Sequence, residues 1–489
     1  MRAVAMMILC GCAMFGSVGI HAQAPTNQVD QIIDRVSAAY KVDRLNQAST
    51  IRFEEERRFE FPDHEYRSNF HELSTQRQHH ILDLNNQSAS SEYLTQIANS
   101  HWHGRSVAKD GKSWFILYAP QYVQEAEDQD FYGYYGRVIR SSAALLAREL
   151  FNAKDTAKYI GEEMWMGKQH DKVTFEMPNS PPLNILVRKD SGMISYMDRI
   201  VGETSTVSYI YEKYEVQDGI PVAYEHSIYG NGIRLFLSLD RKLVIDDQSD
   251  KNAFEIEAGI VPEPQRVDQS AMTVEKTADN IFHVGQNEHY STFISTNDGV
   301  VAFGMGPGFA DRLQAYRQQT AIDLPLTHAI ISDHHRGEMA GALDAASTGA
   351  TLLVTPDALD RVQQLVAQGS PAAQIETIEN QTAIGDLVVA NVSTAHAGSN
   401  LVAFHEPSGT FVQTAHFSIL YNNAASFAEF PAVTLNDAVT KFDWTPKIIL
   451  SAESRKAGPW QAFQKAVSEF DPTACFRNRR ICQNWRQGS

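Results

Sequence analysis

Cysteine, positive charge and familiar catalytic motifs are scarce or missing in this chain of 489 residues. Acidic residues outnumber basic ones by 59 to 42, and the formal net charge at pH 7 is −17. An acidic surface repels nucleic acid and anionic lipid, so we expect neither as a main partner. The sequence also has no Gly-x-Ser-x-Gly elbow, no Gly-x-x-x-x-Gly-Lys-Ser/Thr loop and no His-Glu-x-x-His helix. These absences argue against the common serine-hydrolase, nucleotide-binding and metalloprotease signatures.

Long apolar runs are missing too, except at the N-terminus. There a single arginine precedes an apolar run over residues 3–20, and small residues follow at Ala22 and Ala24. This order predicts a secretory signal over residues 1–24 and a periplasmic or secreted protein with no membrane span after its removal. An uncleaved anchor is one alternative, because the run approaches spanning length. Lipid attachment at Cys12 is another.

Loss of such a leader removes two of the 4 cysteines and leaves Cys475 and Cys482. An even pair at short spacing in an exported protein favours a disulfide, which would hold the end of the chain. Two free thiols are the alternative. We expect no metal site at this pair, because no other cysteine remains to join it.

The pattern of residues divides the rest of the chain into two halves. After a helix predicted over residues 30–42, short β-branched and aromatic stretches alternate with Gly-containing turns, which predicts an antiparallel meander. We expect a β-rich N-terminal domain over residues 25–265, with one helix from Ser141 laid against it. Its tandem hairpins resemble the curved sheets of periplasmic lipoprotein carriers.

A linker is predicted over residues 266–279, following a proline-containing stretch at 259–270. From residue 280 to 489, hairpins mix with alternating strands and helices, including a helix predicted over residues 337–349. That mixture predicts layered packing with helices outside sheets, so the whole chain is expected to be α+β.

Five segments of the second half occur in a recognisable order. They are "YSTFISTNDGVVAF", "THAIISDHHRGEMAGALDAASTGATLLVT", "TAHAGSNLVAF", "GTFVQTAHF" and "IILSAES". Over residues 280–458 this order resembles the metallo-β-lactamase fold superfamily. The resemblance implies an αβ/βα four-layer sandwich and a centre of two zinc ions, where histidine and aspartate ligands position a bridging hydroxide for hydrolysis.

The resemblance also implies a position for each metal ligand of the first loop. Taking residues 340–341 as the Gly-Gly of the family motif places Asp333 at its first histidine and His335 at its second. Gly337 then falls at the motif's aspartate and Glu338 at its third histidine.

The remaining ligands of the family fall later in the chain. His396 matches the next metal histidine. Ala415 falls at the bridging aspartate, and the neighbouring His416 is expected to line the cavity. Glu453 falls near the final histidine, with Ser454 equally suitable.

Of seven implied ligands, only His335 and His396 are identical to the family. Gly337 and Ala415 cannot bind a metal through a side chain, so the second metal position is weakened most. Asp333, His335 and His396 can hold one divalent ion, with zinc, iron or manganese all chemically suitable. An aspartate is shorter than a histidine, which disfavours tight binding, and a site without metal is equally plausible.

Other side chains can replace these ligands or assist them. His334 can substitute through a one-residue slip, and Glu338 and Glu453 are weaker candidate ligands. Glu338 is also a candidate general base.

Three functions follow from this pattern. The first is an exported binding protein with an eroded dinuclear centre that does not hydrolyse its ligand. The second is a mononuclear hydrolase that uses Asp333, His335 and His396. The third is an adaptor of the export compartment whose β-rich half binds a partner. The partner is expected to be a small molecule or a protein, and the sequence leaves enzymatic activity open.

Overall fold

The computed structural model describes residues 26–60, 65–68, 73–97, 100–118, 121–126, 130–202, 204–246, 252–263, 268–369, 372–414 and 430–470. The predicted signal peptide, the predicted disulfide of Cys475 and Cys482, and the positions Ala415 and His416 lie outside these residues. In the described part of the chain, no helix is both long and apolar enough to cross a bilayer.

Ten α-helices occur in the described residues. They are α1 (Thr26–Tyr40), α2 (Val42–Gln47), α3 (Phe131–Ser141), α4 (Ala143–Asn152), α5 (Phe309–Thr320), α6 (Arg336–Met339), α7 (Ala342–Ser347), α8 (Leu359–Val366), α9 (Phe430–Val439) and α10 (Trp460–Glu469).

Fourteen strands precede residue 265 and form one sheet. They are β1 (Ile51–Glu60), β2 (Leu73–Asp83), β3 (Ser88–Ile97), β4 (Ser100–Lys109), β5 (Lys112–Leu117), β6 (Tyr122–Ala126), β7 (Lys158–Trp165), β8 (Lys168–Phe175), β9 (Leu183–Arg188), β10 (Ile194–Val201), β11 (Ser205–Gln217), β12 (Ile220–Gly230), β13 (Ile233–Ile245) and β14 (Val261–Pro262).

Thirteen further strands form two smaller sheets. They are β15 (Thr273–Ala278), β16 (Ile281–Gln286), β17 (His289–Ser295), β18 (Val300–Phe303), β19 (Leu326–Ile330), β20 (Thr351–Val354), β21 (Ile375–Thr377), β22 (Gln381–Ile384), β23 (Leu387–Val392), β24 (Asn400–His405), β25 (Thr410–Gln413), β26 (Ile448–Ser451) and β27 (Gly458–Pro459).

The large sheet is the predicted meander. Its order is β14-β6-β5-β4-β3-β2-β1-β13-β12-β11-β10-β9-β8-β7, so two runs of consecutive hairpins join where β1 pairs with β13. All its pairs are antiparallel except β14 with β6. The four helices α1–α4 bury their apolar residues against one face of this sheet, in a cluster that joins Ile33 and Leu145 to Phe53 and Val173.

Local chemistry sets the helix boundaries in this half. The helix predicted over residues 30–42 ends at Tyr40, because Lys41 adopts a left-handed conformation (φ 51°, ψ 50°) before α2 begins. The helix predicted from Ser141 starts at Ala143, where the Ser142 side chain accepts a hydrogen bond from the N–H of Leu145 and caps the first turn.

The two smaller sheets carry the second half of the chain. One has the order β15 to β21 and the other β22 to β27, both with antiparallel and parallel pairs. The segment predicted as a linker, 266–279, contains β15, which pairs with β16. Six of the fourteen residues of that segment therefore belong to a sheet, while the division into domains stays a prediction.

Three apolar clusters hold this half together. One joins residues of both sheets, for example Ile294 and Ile330 with Val389 and Leu450. A second joins the seven-stranded sheet to α5–α8, and a third joins the six-stranded sheet to α9 and α10. The mixed, sheet-rich α+β class expected from the sequence is confirmed.

Candidate metal centre

Polar side chains gather where strands of the two smaller sheets end. β19 ends at Ile330, and residues 331–335 then turn into α6. His396 lies in the loop between β23 and β24 of the other sheet. Asp333 and His335 are buried, with 0% and 4% of their surfaces exposed. Because β18, β19 and β20 run parallel, this loop lies at the carboxyl edge of the sheet, where α/β proteins commonly place their sites.

The predicted helix over residues 337–349 is interrupted beside this loop. The N–H of Gly341 donates to the carbonyl of Met305 at 2.6 Å, and a Cβ at Gly341 would lie only 2.4 Å from Cβ of Phe309. Only glycine allows the chain to approach the loop after β18 so closely. As a result, the helix divides into α6 and α7.

Asp333, His335 and His396 form a chain of short contacts. Nδ1 of His335 lies 2.8 Å from Oδ1 of Asp333 and 2.7 Å from Nε2 of His396. The same Oδ1 accepts a hydrogen bond from the backbone N–H of His335 at 2.9 Å, and Oδ2 lies 4.0 Å from Nε2 of His396. One donor atom from each residue lies within 4.8 Å of the other two. The structure thus brings together the three residues predicted as ligands of one ion.

These contacts determine the charges in the site. Burial opposes ionisation of Asp333, but the imidazoles of His335 and His396 outweigh it and hold the pKa of this carboxyl well below its ordinary value. Burial also opposes protonation of His335, but the Asp333 carboxylate raises its pKa, with help from the backbone and charge of Glu65. An ion pair of Asp333 with protonated His335 is therefore favoured.

Glu338 lies near Asp333, and the Ser332 hydroxyl contacts the carboxyl groups of both. Burial, followed by the charges of Asp333 and Glu453, raises the pKa of Glu338 well above its ordinary value. The Ser332 hydroxyl donates to Oε2 of Glu338 at 3.4 Å. A protonated carboxyl cannot accept a proton, so Glu338 must ionise before it can act as a base. Neither Glu338 nor Glu453 belongs to a group of three converging donors within the described residues.

A segment of the first half of the chain closes the site. The backbone carbonyl of Glu65, between β1 and β2, accepts hydrogen bonds from Nε2 of His334 at 2.8 Å and from Nε2 of His335 at 3.2 Å. His334 therefore turns toward Glu65 and does not take the place of Asp333, which the predicted slip would require. Sequence reasoning missed Glu65, because no motif surrounds it.

Two positions that the resemblance predicts as metal ligands, Gly337 and Ala415, have no side chain that can bind an ion. Gly337 is exposed, and a Cβ added there would meet nothing within 4 Å. The position is open space rather than a site occupied by another donor. Ala415 and His416 lie outside the described residues, so their roles stay predictions.

The donor set fits one divalent ion better than two. Two imidazoles and a carboxylate are a common ligand set for zinc and iron. Ligand atoms about 2.0–2.1 Å from a tetrahedral zinc are about 3.3 Å apart, so His335 and its two partners would have to separate by about 0.5 Å. That shift is small enough for side-chain rotation. For a second ion, no carboxylate is present at Gly337.

The fold and site define a sheet-rich α+β protein with a histidine–aspartate cluster at the strand ends of its second half. A scan against models of known families found no match, and a search of curated proteins found none. Among solved structures, the chain is similar to the metallo-beta-lactamase from Hirschia baltica, at 14% identity and a TM-score of 0.30, over 40% of this chain and 96% of that chain.

Two further solved structures are similar to this chain. One is the metallo-beta-lactamase FIM-1 from Pseudomonas aeruginosa in its mono-zinc form, at 11% identity and a TM-score of 0.31, over 41% of this chain and 96% of that chain. The other is an outer membrane lipoprotein-sorting protein domain from Vibrio parahaemolyticus, at 9% identity and a TM-score of 0.32, over 47% of this chain and 97% of that chain.

Proposed function

We propose that this chain is an exported binding protein whose second half is an αβ/βα four-layer sandwich of metallo-β-lactamase type. It binds a small molecule or a protein at the Asp333–His335–His396 site without hydrolysing it. The layering is supported by the three apolar clusters, one between the sheets and one under each set of helices. Export is supported by the signal-like N-terminus.

The observation that carries the non-hydrolytic function is the internal pairing of the site. Nδ1 of His335 lies at hydrogen-bond distance from both Oδ1 of Asp333 and Nε2 of His396, and the carbonyl of Glu65 accepts a hydrogen bond from Nε2 of His335. The open position at Gly337 supplies no carboxylate for a second ion. Among the described residues, a hydroxide held between two ions therefore has no ligand framework, whereas a polar ligand can be bound by the charged pair.

Metal analysis and turnover assays test this function. The purified full-length protein is loaded with zinc, iron or manganese and assayed for esterase, lactamase and phosphodiesterase activity. We expect at most traces of turnover, equal in the wild type and in His396→Ala. Metal-dependent turnover that His396→Ala abolishes would show the proposal to be wrong.

A mononuclear hydrolase is the second candidate, and the convergence of three donor atoms within 4.8 Å favours it. A bound ion would lower the pKa of a water molecule, and Asp333, His335 and His396 would hold that ion. This candidate requires the protein to retain one ion after growth with each metal. It fails if the protein emerges without any.

A further inference from the structure

We propose that Glu65, His334 and His335 form a divalent-cation site shared by the two halves of the chain. One donor atom from each of these residues lies within 4.8 Å of the other two. The resemblance to metallo-β-lactamases does not imply this set, because Glu65 lies outside the matched region and His334 falls between two motif positions. The site goes beyond the proposed function and does not depend on it.

The segment that carries Glu65 is fixed against the second half of the chain. The carbonyl of Tyr66 accepts a hydrogen bond from the N–H of Gly398 at 2.8 Å, and the Tyr66 hydroxyl lies 2.9 Å from the hydroxyl of Ser393. Arg361 donates to the carbonyl of Ser68 at 2.7 Å and to that of His334 at 2.9 Å. These contacts position the Glu65 carboxylate beside the histidines without requiring an ion to order the segment.

Two buried polar atoms of this set have no hydrogen-bond partner among the described residues. They are Oε2 of Glu65 and Nδ1 of His334, and His334 itself is 0% exposed. A buried acceptor without a donor is unfavourable, and native proteins pair most such groups with protein, water or an ion. A divalent cation supplies positive charge to the carboxylate and a coordination position to an imidazole nitrogen.

The two sets of donors use different sides of His335. Its Nδ1 lies beside Asp333 and His396, whereas its Nε2 donates a hydrogen bond to the backbone carbonyl of Glu65. Zinc bound at Nε2 would replace the proton of that hydrogen bond. Loss of His396 should therefore leave the proposed site intact, and loss of the Glu65 charge should leave the Asp333 side intact. Two imidazoles and one carboxylate suit zinc, which is the probe we choose.

The test measures zinc binding to the full-length protein by equilibrium dialysis and by the zinc-dependent rise in the unfolding temperature. The variants are Glu65→Gln, which keeps the shape of the side chain, His334→Gln and His396→Ala. Glu379→Gln, a change at an exposed glutamate, is the matched control. Circular dichroism checks that each variant is folded.

We expect Glu65→Gln and His334→Gln each to lose one equivalent of zinc or to bind it at least tenfold more weakly, and to lose the matching part of the temperature rise. His396→Ala and Glu379→Gln should retain that equivalent. A cobalt-loaded wild type should show a ligand-field spectrum that changes in Glu65→Gln. The inference would be overturned if both Glu65→Gln and His334→Gln bind zinc as Glu379→Gln does and show the same rise in unfolding temperature. It would also be overturned if the wild type binds no zinc.

These outcomes are distinct from failure of the proposed function, which is decided by turnover. If the wild type hydrolyses a substrate and this activity requires His396 but not Glu65, the proposed function is wrong. The Glu65–His334–His335 site is then still tested by the number of zinc ions that each variant binds. Conversely, an inactive protein with unchanged zinc binding in both Glu65→Gln and His334→Gln contradicts only this inference.

Discussion

Nδ1 of His335 and Nε2 of His396 lie 2.7 Å apart, although the two residues follow strands of different sheets. His335 follows β19 of the seven-stranded sheet, and His396 follows β23 of the six-stranded sheet. The apolar cluster between the sheets holds these two edges together. Changes that loosen this packing should also weaken the site, so predictions about the site need controls for the fold.

The open space at Gly337 predicts that a carboxylate can be added there. In Gly337→Asp the new Cβ meets nothing within 4 Å, and the position lies in the first turn of α6, where a negative charge is favourable. We expect stability within about 1 kcal/mol of the wild type and zinc affinity about tenfold higher, equal to roughly 1.4 kcal/mol. Isothermal titration with zinc and denaturant unfolding measure the two effects.

A neighbouring glycine supplies the contrast for this substitution. Gly341→Ala places a Cβ at 2.4 Å from Cβ of Phe309 and 3.0 Å from the carbonyl of Met305. We expect this crowding to cost about 1–3 kcal/mol. Equal stability of the two variants would contradict the account of both positions, as would a Gly337→Asp protein that binds zinc no better than the wild type.

Arg361 holds segment 65–68 in place through hydrogen bonds to the carbonyls of Ser68 and His334, so its removal should let that segment open. Arg361→Ala removes two hydrogen bonds from a charged donor to the carbonyls of Ser68 and His334, each worth about 1.5–3 kcal/mol. The N–H of Gly398, which donates to Tyr66, should then exchange with solvent about tenfold to a hundredfold faster, because segment 65–68 opens locally.

Arg361→Lys is the graded control for this prediction. An ammonium group lacks the planar fork that reaches two carbonyls, so we expect an intermediate exchange rate at Gly398. Hydrogen exchange followed by mass spectrometry measures it. If the N–H of Gly398 exchanges equally slowly in Arg361→Ala, segment 65–68 is held in place without the hydrogen bonds of Arg361.

Much of the fold could be predicted because periodicity is a local property. The hairpins of the large sheet follow from alternating residues and glycine turns, and the helices predicted over residues 30–42 and from Ser141 are present as α1 and α4. β15 escaped prediction because "TVEKTA" has few apolar residues and sits in a sheet through its partner β16. A strand of that kind is specified by its neighbour more than by its own pattern.

The site was predictable to the extent that it lies within one motif region. Asp333, His335 and His396 meet as the order of segments indicates, since the strand ends of one sandwich are brought together by its topology. Glu65 could not be predicted, because its contact depends on how the first half of the chain lies against the second. No local sequence pattern records such a placement.

The buried ion pairs of Glu55 in the large sheet predict a large loss of stability when this carboxylate is removed. The Glu55 side chain is 0% exposed, with Nη2 of Arg57 at 2.5 Å and Nε of Arg241 at 3.3 Å. Glu55→Gln leaves two buried guanidinium groups without a countercharge, and we expect a cost of about 3–5 kcal/mol. Glu56→Gln on the same strand affects more exposed pairs with Arg58 and Arg77 and should cost less than about 1 kcal/mol.

Urea unfolding of both variants, followed by tyrosine and tryptophan fluorescence, measures the difference. The two substitutions change the same chemical group on adjacent residues, so burial of the ion pair is what distinguishes them. If Glu55→Gln is no less stable than Glu56→Gln, the charge of the Glu55 carboxylate does not stabilise the folded protein.

His283 predicts a loss of stability in acid. It is buried between Thr292, at 3.0 Å from Nδ1, and the carbonyl of Ser454, at 2.7 Å from Nε2, and burial lowers its pKa from 6.5 to about 4. Between pH 6.5 and pH 4 this histidine binds a proton in the unfolded chain but not in the folded protein. The free energy of unfolding therefore falls as the pH decreases and levels off near pH 4. At pH 5 the loss relative to pH 8 is about 2 kcal/mol.

His283→Asn removes this titrating group and makes the free energy of unfolding less dependent on pH. The variant should be less stable than the wild type at pH 8, because asparagine is smaller than the imidazole ring, which fills its site and makes two hydrogen bonds. Between pH 8 and pH 5, however, its free energy of unfolding should fall by about 2 kcal/mol less than that of the wild type. Urea unfolding at both pH values gives the difference directly. His328→Asn is the control, because burial lowers the pKa of that histidine too but its side chain is only half-buried, so its effect on the slope should be smaller. A slope in His283→Asn as steep as in the wild type would assign the acid sensitivity to other buried histidines, among them His80 and His226, whose pKa values burial also lowers.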